Sequence, residues 1–542
     1  MSRYLVHVTM MVMVHILCQQ RVGSFVPGAS VFGIGNGTAS GGSPKARVAA
    51  YKASISDGVD VLSLSLGSPN HQDYFKDVVA IGSFHAVANG IVVMASAGNA
   101  GPSPGTVSNV GPWILTVAAS TTDRDFASYV TLGDKKIIKG ASLSEQNLPS
   151  NKMYPLISSV DAKNINASIK DALGCQYGTL DPEKAEGKIL VCLGEDSNMG
   201  VEAFRVGAVG MILPNDKGRR DEMRPRPYLL PAANVGFENG NYIYNYITTT
   251  QSPMAYISRV KTELGVKPAP YVASFSSRGP NAVDPAILKP DVTAPGVNII
   301  AAYSEAISPT GLESDKRITP YMAFSGTSMA CPHVSGLAEL LKALHPDWSP
   351  AAIKSAIITS STTTDNYGRP IQDSVSNEAT PFDYGAGHIK PDSAADPGLV
   401  YDLNITDYLN YLCGHGYTSS QLKLFTDKPY TCPKSFSLAD FNYPTITIPQ
   451  LGPGHSVNVS RTVTNVGSQS TYEVRIKAPP QVEVSVEPSK LRFQKKGEKK
   501  EFRVTLNWKS KTENTTGFVF GRLTWTDKKH HVRSTIAVNV TQ

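Results

Sequence analysis

The sequence GIVVMASAGN at residues 90–99 decides the fold class of this 542-residue chain. Residues 90–96 form a continuous apolar run, which is typical of a strand buried on both faces of a parallel sheet. A strand-like run at residues 59–66 precedes it, and side chains at helical spacing, from Tyr74 to Ala88, lie between the two runs. This strand–helix–strand order predicts an α/β fold with a mostly parallel sheet and helices on both faces.

The α/β pattern occupies two parts of the chain. It covers residues 24–149, is interrupted, and resumes over residues 263–436, which include a predicted helix at 328–344. Residues 150–262 contain short strands and a helix of their own, and they predict an inserted α+β module. Over residues 437–542 the helical signals stop and alternating apolar segments follow one another, which predicts a C-terminal β-sandwich.

The composition describes a folded protein rather than a disordered or fibrous one, since 41% of the residues are hydrophobic and 18% are charged. The net charge of +6 is spread thinly along the chain, so we expect no nucleic-acid partner. The sequence shows no Cys-x-x-Cys pair, histidine-rich cluster or calcium-binding carboxylate loop. We therefore expect neither a metal nor a cofactor.

Cysteines and glycosylation sequons favour an oxidising compartment. Two pairs among the six cysteines have short separations, Cys175 with Cys192 and Cys413 with Cys432, and they predict two disulfides. The chain also carries six N-glycosylation sequons, at Asn36, Asn166, Asn404, Asn458, Asn514 and Asn539. The alternative is a cytosolic protein in which all six thiols are reduced.

The N-terminal residues 1–23 do not match the α/β pattern. Residues 5–18 form a 14-residue apolar run, which has the length of a signal-peptide hydrophobic region and is too short for a stable membrane span. Two histidines lie within the run, and no small-residue cleavage site is recognisable. A signal peptide and a segment foreign to the folded protein therefore remain alternatives.

Two residues predict a site for acyl transfer. Ser328 follows Gly326 at the start of a predicted helix, where the helix dipole and free backbone N–H groups can hold a developing oxyanion. Asn99 follows the apolar strand in a glycine-rich turn, at the sheet edge where α/β proteins place ligands, and its amide can donate to the same oxyanion. The alternatives are an ordinary N-cap serine and an ordinary turn asparagine.

Four sequence motifs occur in the order in which a known family carries them. They are AGN at 97–99, FSSRGPN at 275–281, KPDVTAPG at 289–296 and SGTSMACPHVSG at 325–336. They resemble the motifs of the subtilisin-like serine proteases, or subtilases. The plant members, with an inserted protease-associated domain and a fibronectin type III-like C-terminal domain, resemble this chain in particular, from about residue 24 to its end.

The resemblance implies a role for each matched residue. Ser328 would be the nucleophile and Asn99 the oxyanion-hole amide. An extended polypeptide substrate would bind as an added strand. The implied substrate-binding residues are the two pocket walls, Ser65, Leu66, Gly67 and Ser96, Ala97, Gly98, together with Gly326 and Thr327. The resemblance also implies a secreted protein of the cell wall or apoplast.

The chain departs from the family at the two other catalytic positions. In subtilases an Asp and then a His, in a Gly-His-Gly-Thr-His motif, precede the serine. The nearest candidate upstream of residue 25, His15, has no flanking glycines, and no Asp precedes it. We interpret His85 and His333 as packed structural histidines. We therefore expect the catalytic Asp and His, and an inhibitory propeptide, to be absent.

A second gap follows from chain connectivity alone. Only six residues separate Lys52, at the end of a predicted strand over 47–52, from Val59, where the next predicted strand begins. Neighbouring parallel strands need a crossover of a dozen or more residues. The spacing therefore predicts that a connecting helix is missing and that the sheet is incomplete at its N-terminal side.

Three functions remain open on the sequence alone. The first is a serine endopeptidase that is inactive or strongly impaired because its base is missing. The second is a non-catalytic protein that binds peptides, and the third is an incomplete gene product of an active protease. The sequence does not decide whether the insertion mediates a homodimer.

Overall fold

The computed structural model describes residues 24–45, 58–67, 71–194, 197–218, 220–509 and 516–541. The first part contains β1 (Val26–Val31), β2 (Ile34–Ala39), β3 (Val61–Leu64), α1 (Val78–Ala88), β4 (Val92–Ser96) and β5 (Leu115–Ser120). Next come β6 (Arg124–Leu132), β7 (Ile137–Ala141), β8 (Tyr154–Ser158), α2 (Ile169–Leu173), α3 (Pro182–Ala185), β9 (Ile189–Val191), α4 (Ser197–Arg205), β10 (Gly210–Pro214), β11 (Ala232–Val235), α5 (Phe237–Thr249), β12 (Met254–Ile257) and β13 (Lys261–Leu264).

The second half of the chain continues in the same numbering. It begins with β14 (Val292–Pro295), β15 (Ile299–Ala302), β16 (Tyr321–Phe324), α6 (Thr327–Leu344), α7 (Pro350–Ser360), α8 (Pro381–Tyr384), α9 (Pro391–Ala395), β17 (Leu399–Val400), α10 (Ile405–Gly414) and α11 (Ser419–Leu422). After a 3₁₀ turn at Leu438–Asp440 it ends with β18 (Ile446–Leu451), β19 (Ser456–Asn465), β20 (Ser470–Lys477), β21 (Val482–Glu487), β22 (Lys490–Phe493), β23 (Lys499–Trp508), β24 (Gly517–Thr526) and β25 (His531–Val540).

A parallel sheet with the strand order β14–β5–β4–β3 forms the centre of the α/β part. Every residue of β4 and β5 is buried, as the apolar run at 90–96 predicts. Val92 and Met94 pack with α6 and α7 on one face, whereas Val93 and Ala95 pack with α1 and α10 on the other. The predicted α/β architecture with helices on both faces is confirmed for the described residues. The predicted strand at 47–52 lies outside them, so the missing crossover helix stays a prediction.

The inserted module is a separate sheet with its own core. Its strand order is β12–β8–β9–β10–β11–β7–β6–β13, and apolar clusters cover both faces of the sheet, one including Ile243 of α5 and the other Ala203 of α4. The sheet begins with β6 and β7, upstream of the predicted boundary at residue 150, and it ends with β13, just beyond residue 262. The two early strands belong here because β6 pairs with β12 and β13.

The C-terminal part is a β-sandwich, as predicted. One sheet has the order β17–β19–β23–β21 and the other β18–β25–β24–β20–β22, and the buried side chains of Phe502 and Trp525 pack between them. The short strand β17 belongs to the α/β part by sequence but pairs with β19. The two parts therefore share a sheet.

Both predicted disulfides are present. Cys175 is bonded to Cys192 within the insertion, and Cys413 at the end of α10 is bonded to Cys432. Cys331 is buried and takes no part in these two bridges, and its Sγ lies 3.6 Å from the Ser63 hydroxyl oxygen. Each bridge closes a short loop of the unfolded chain, which limits the entropy gained on unfolding.

A buried charged cluster joins the α/β part to the sandwich. The Lys289 ammonium donates to the Asp291 carboxylate at 2.6 Å, and both side chains are inaccessible to solvent. Tyr443, which lies just before the sandwich, donates its hydroxyl hydrogen to the same carboxylate. Lys354 of α7 lies over the Tyr443 ring at 4.3 Å from its centroid and donates to the carbonyl of Pro112.

The stability of the protein should rise with pH through the titration of Lys354. Burial lowers the pKa of Lys354 to about 7, with Asp291 opposing and Lys289 adding to the shift. An unfolded lysine has a pKa of about 10.4, so between pH 7 and about 10 the unfolded state holds a proton that the folded state lacks. Urea titrations should show that the free energy of unfolding of wild type increases by about 2 kcal/mol more than that of Lys354→Met between pH 7 and pH 9. Parallel pH profiles of the two proteins would contradict this assignment.

Candidate active site

The nucleophile helix α6 starts directly above the carboxyl end of the central sheet. The N–H of Gly326 donates to the carbonyl of Gly296, which follows β14, at 2.8 Å. A Cβ at Gly296 would come within 2.7 Å of the Ala119 side chain and 2.9 Å of the Gly326 oxygen, so this close approach requires glycine. The sequence between β16 and α6 is thereby held at the edge of the sheet.

Ser328 lies inside the helix rather than at its cap. The N-cap of α6 is Gly326, which makes Ser328 the second helical residue, so the alternative of an ordinary N-cap serine is wrong. A residue in the first turn has no intrahelical acceptor for its backbone N–H. Ser328 is half-buried, and its N–H and hydroxyl lie at the positive end of α6, an 18-residue helix.

Asn99 is oriented by the residue before the nucleophile. Its Oδ1 accepts hydrogen bonds from the backbone N–H of Thr327 at 2.9 Å and from the Thr327 hydroxyl at 2.8 Å. This pairing fixes which end of the amide carries the oxygen. The Asn99 Nδ2 atom lies close to Gly326, at 3.6 Å from the position that a Cβ on this glycine would occupy. Both Nδ2 hydrogens are left without an acceptor among the described residues, as an oxyanion-hole donor requires.

The two predicted pocket walls follow neighbouring parallel strands. Ser65, Leu66 and Gly67 come directly after β3, while Ser96 ends β4 and Ala97 and Gly98 follow it. The Ser65 hydroxyl donates to the Ser328 carbonyl at 3.0 Å, which ties the first wall to α6. The carbonyl of Gly98 accepts from Ser277, within the second family motif, at 3.0 Å. The structure therefore brings the predicted substrate-binding residues together around Ser328.

None of the described histidines is hydrogen-bonded to Ser328. Its Oγ lies 3.5 Å from the Ser65 carbonyl, the limit of a hydrogen bond. His333 contacts the Met329 carbonyl at 2.8 Å, and burial lowers its pKa. His85 contacts the Leu424 carbonyl at 2.8 Å. A ring nitrogen of each therefore contacts a backbone carbonyl rather than the Ser328 hydroxyl, and His15 lies outside the described residues.

The predicted glycosylation sites differ in exposure. Asn36, Asn166, Asn404 and Asn458 are exposed, whereas Asn539 is half-buried in β25 and Asn514 lies outside the described residues. Within the described ranges no three His, Cys, Asp or Glu side chains are grouped so that they could hold a metal ion. No helix in this part of the chain is long and apolar enough to span a membrane.

Family comparisons agree with the four motifs. The model of the subtilase family matches residues 11–387, and that of the fibronectin type-III domain matches residues 440–538. The chain belongs to the subtilase family.

Among the relatives of this subtilase, the Arabidopsis thaliana subtilisin-like proteases SBT5.4 and SBT5.3 are 52% and 51% identical to it. The alignments cover 96% of this chain in both cases and 69% and 70% of the two relatives. The CO(2)-response secreted protease of the same plant is 41% identical, over 95% of this chain and 71% of its own length. Membership of the subtilase family implies a polypeptide substrate, and the last of these relatives is named as a secreted protease.

Two residues near the pocket have a role that the sequence alone does not predict. Ser108 and Asn109 lie in the loop between β4 and β5, and both are hydrogen-bonded to the pocket walls. Asn109 is followed by Val110 and then by Gly111 and Pro112, a sequence typical of an ordinary loop, so nothing in the local sequence marks either residue. Only the fold brings this loop between the ends of β3 and β4.

Proposed function

We propose that this subtilase binds an extended polypeptide at the carboxyl ends of β3 and β4, and that Ser328 is the nucleophile of an acyl-transfer site lacking its own histidine base. The observation that carries the proposal is the orientation of Asn99. Its oxygen accepts from Thr327, and its Nδ2 and the Ser328 N lie 3.6 and 3.7 Å from the same point, the position that a Cβ on Gly326 would occupy. Two donors at that point are suited to a tetrahedral oxyanion.

The reaction would follow from this geometry in two steps. The Ser328 Oγ attacks the peptide carbonyl, and the oxyanion accepts hydrogen bonds from Asn99 Nδ2 and the Ser328 N–H. Collapse of the intermediate breaks the C–N bond, the amine leaves with the proton that the base accepted from Ser328, and water then hydrolyses the acyl-enzyme. Both steps need a base, which accepts the proton of the Ser328 hydroxyl in the first step and a proton of the attacking water in the second. In a subtilisin, loss of the catalytic histidine lowers turnover about a millionfold.

The second candidate is a protein that binds peptides without cleaving them. It is favoured by the surroundings of Ser328 Oγ, which has no imidazole partner among the described residues. An incomplete gene product of an active protease would look the same over this chain. Adding an external base distinguishes the two candidates, because only a preserved acyl-transfer site would then react.

Location and modification form part of the proposal. Two disulfides, exposed sequons at Asn36 and Asn166, and the relatives together support a secreted glycoprotein of the cell wall or apoplast. We assign the sheet from β6 to β13 as the protease-associated insertion. Its position between β5 and β14, two adjacent strands of the central sheet, supports this assignment.

A fluorophosphonate probe with added imidazole tests the proposed chemistry. Purified protein should label negligibly with the probe alone, and labelling should rise with imidazole concentration because the free base accepts the Ser328 proton. Ser328→Ala should abolish the imidazole-dependent labelling. Absence of labelling at any imidazole concentration would refute the acyl-transfer site.

A control addresses the residues outside the described ranges. Rapid labelling without imidazole, lost in His15→Ala, would place the base in the N-terminal residues and refute the lack of a histidine base. The same labelling retained in His15→Ala and lost in Ser328→Ala would assign the base to another group and contradict the proposal equally.

A further inference from the structure

We infer that Asn109 is a positioning residue that sets the distance between the two walls of the peptide pocket. The inference rests on the proposed function, since it concerns the pocket beside Ser328. Asn109 belongs to the loop between β4 and β5, and its side-chain amide and its carbonyl are hydrogen-bonded to Leu66, Ser96 and Thr116.

The walls lie where the sheet ladder ends. The β3–β4 register stops at the pair formed by Leu64 and Ala95, directly before the walls begin at Ser65 and Ser96. Ladder hydrogen bonds hold neighbouring strands at about 4.8 Å, and this restraint is lost beyond the last pair. Another group must therefore hold the two backbone segments in place.

The side-chain amide of Asn109 connects the walls. Its Nδ2 atom donates to the Leu66 carbonyl of the first wall at 2.8 Å and to the Ser96 carbonyl of the second wall at 2.7 Å. One planar nitrogen with two hydrogens thus replaces the missing ladder bond. A Cβ at Gly67 would come within 2.9 Å of this nitrogen, so the absence of a side chain there makes room for the bridge.

Asn109 is itself held in a fixed position. Its side chain is 5% exposed, and its φ of 58° lies in the left-handed region, which Asn adopts more readily than most residues. The Thr116 hydroxyl of β5 donates to the Asn109 carbonyl at 2.7 Å. The neighbouring Ser108 donates its backbone N–H and its hydroxyl hydrogen to the Ala97 carbonyl, at 2.9 and 3.1 Å. The bridge is therefore anchored to β5 and to the second wall.

Two substitutions remove the hydrogen bonds by which Asn109 connects the walls. Asn109→Asp keeps the shape and the backbone preference but has no hydrogen to donate, and it sets a negative charge against two carbonyl oxygens. Asn109→Gly tolerates the same φ and deletes both donors. Asn465→Asp is the matched control, because Asn465 is also buried and its Nδ2 donates to three backbone carbonyls, but within the sandwich.

The test measures how strongly the pocket distinguishes side chains. Two fluorescein-labelled hexapeptides that differ only in Phe or Ala at the residue entering the pocket are titrated into the full chain carrying Ser328→Ala, and their Kd values are read by fluorescence anisotropy. We expect the Phe-to-Ala affinity ratio to fall about tenfold in Asn109→Asp and in Asn109→Gly. Asn465→Asp should lower the Tm and leave the ratio unchanged.

The outcomes separate the two proposals. An unchanged ratio in both Asn109 variants, with tight binding by the parent, overturns the positioning role and leaves the proposed function standing. An equal loss of affinity for both peptides, matched by Asn465→Asp, assigns Asn109 a structural role only and also overturns the inference. Failure of the parent to bind either peptide refutes the proposed function, and the inference with it.

Discussion

Asp291→Ala should lower the free energy of unfolding by about 3–5 kcal/mol, because it leaves the buried Lys289 ammonium without its counter-ion. The Asp291 carboxylate also accepts from the backbone N–H of Thr116 at 2.7 Å and from the Tyr443 hydroxyl, so three donors lose their acceptor together. Urea denaturation followed by circular dichroism gives the difference. A loss below about 1 kcal/mol would show that the cluster contributes little.

Two further variants make the Asp291 prediction specific. Lys289→Met combined with Asp291→Leu removes both charges and should be less destabilising than Asp291→Ala alone, because no ion is left unpaired. Glu473→Ala breaks an ion pair of similar length, 2.7 Å to Lys490, whose side chains are 61% and 62% exposed. Solvent screens that pair, so the unfolding midpoint should stay nearly unchanged.

Asn99→Asp should lower the imidazole-supported rate of Ser328 phosphonylation by about 10²–10³, the usual effect of losing one oxyanion-hole donor. The carboxylate retains an oxygen for the two hydrogen bonds from Thr327, but it presents a second oxygen where the amide presents hydrogens. The developing negative charge is then repelled instead of stabilised. The measurement is the second-order rate constant for the fluorophosphonate probe at a fixed imidazole concentration.

The control for Asn99 separates chemistry from folding. Asn99→Asp should keep the Tm of wild type because the Thr327 bonds remain, whereas Asn99→Ala should lose both those bonds and the oxyanion donor. Both variants should be slow to react. A wild-type rate in either variant would remove Asn99 from the oxyanion hole.

The elements that the sequence predicts well are those whose signal is local. The strand at 92–96 is buried throughout, and the helix from Pro350 begins after the N-cap Ser349, whose hydroxyl accepts from the Ala352 N–H at 3.0 Å. A serine followed by proline is a local signal for a helix start. The positions of Ser328 and Asn99 also follow from motifs that combine a strand or helix end with glycine. In each case the residues that determine the conformation are neighbours in sequence.

The features that sequence analysis missed depend on distant partners. The predicted boundary at residue 150 places the strand Arg124–Leu132 in the α/β part, but this strand pairs with strands at Met254–Ile257 and Lys261–Leu264, more than a hundred residues later. Its own pattern suits either sheet. Asn109 is an unremarkable loop residue until β3 and β4 are placed side by side. Long-range pairing, rather than local propensity, decides both cases.

The contacts between the sandwich and the α/β part limit how the chain can be divided. Tyr443 reaches Asp291, the Tyr401 hydroxyl is 2.7 Å from that of Ser534, and Arg533 donates to the Ala386 carbonyl. A chimaera that exchanges the C-terminal module would break these contacts unless the donor module supplied matching groups. Modular rearrangement of this protein is therefore constrained by polar groups at the seam, in addition to the β17–β19 pairing and the packing of Phe382 on Phe518.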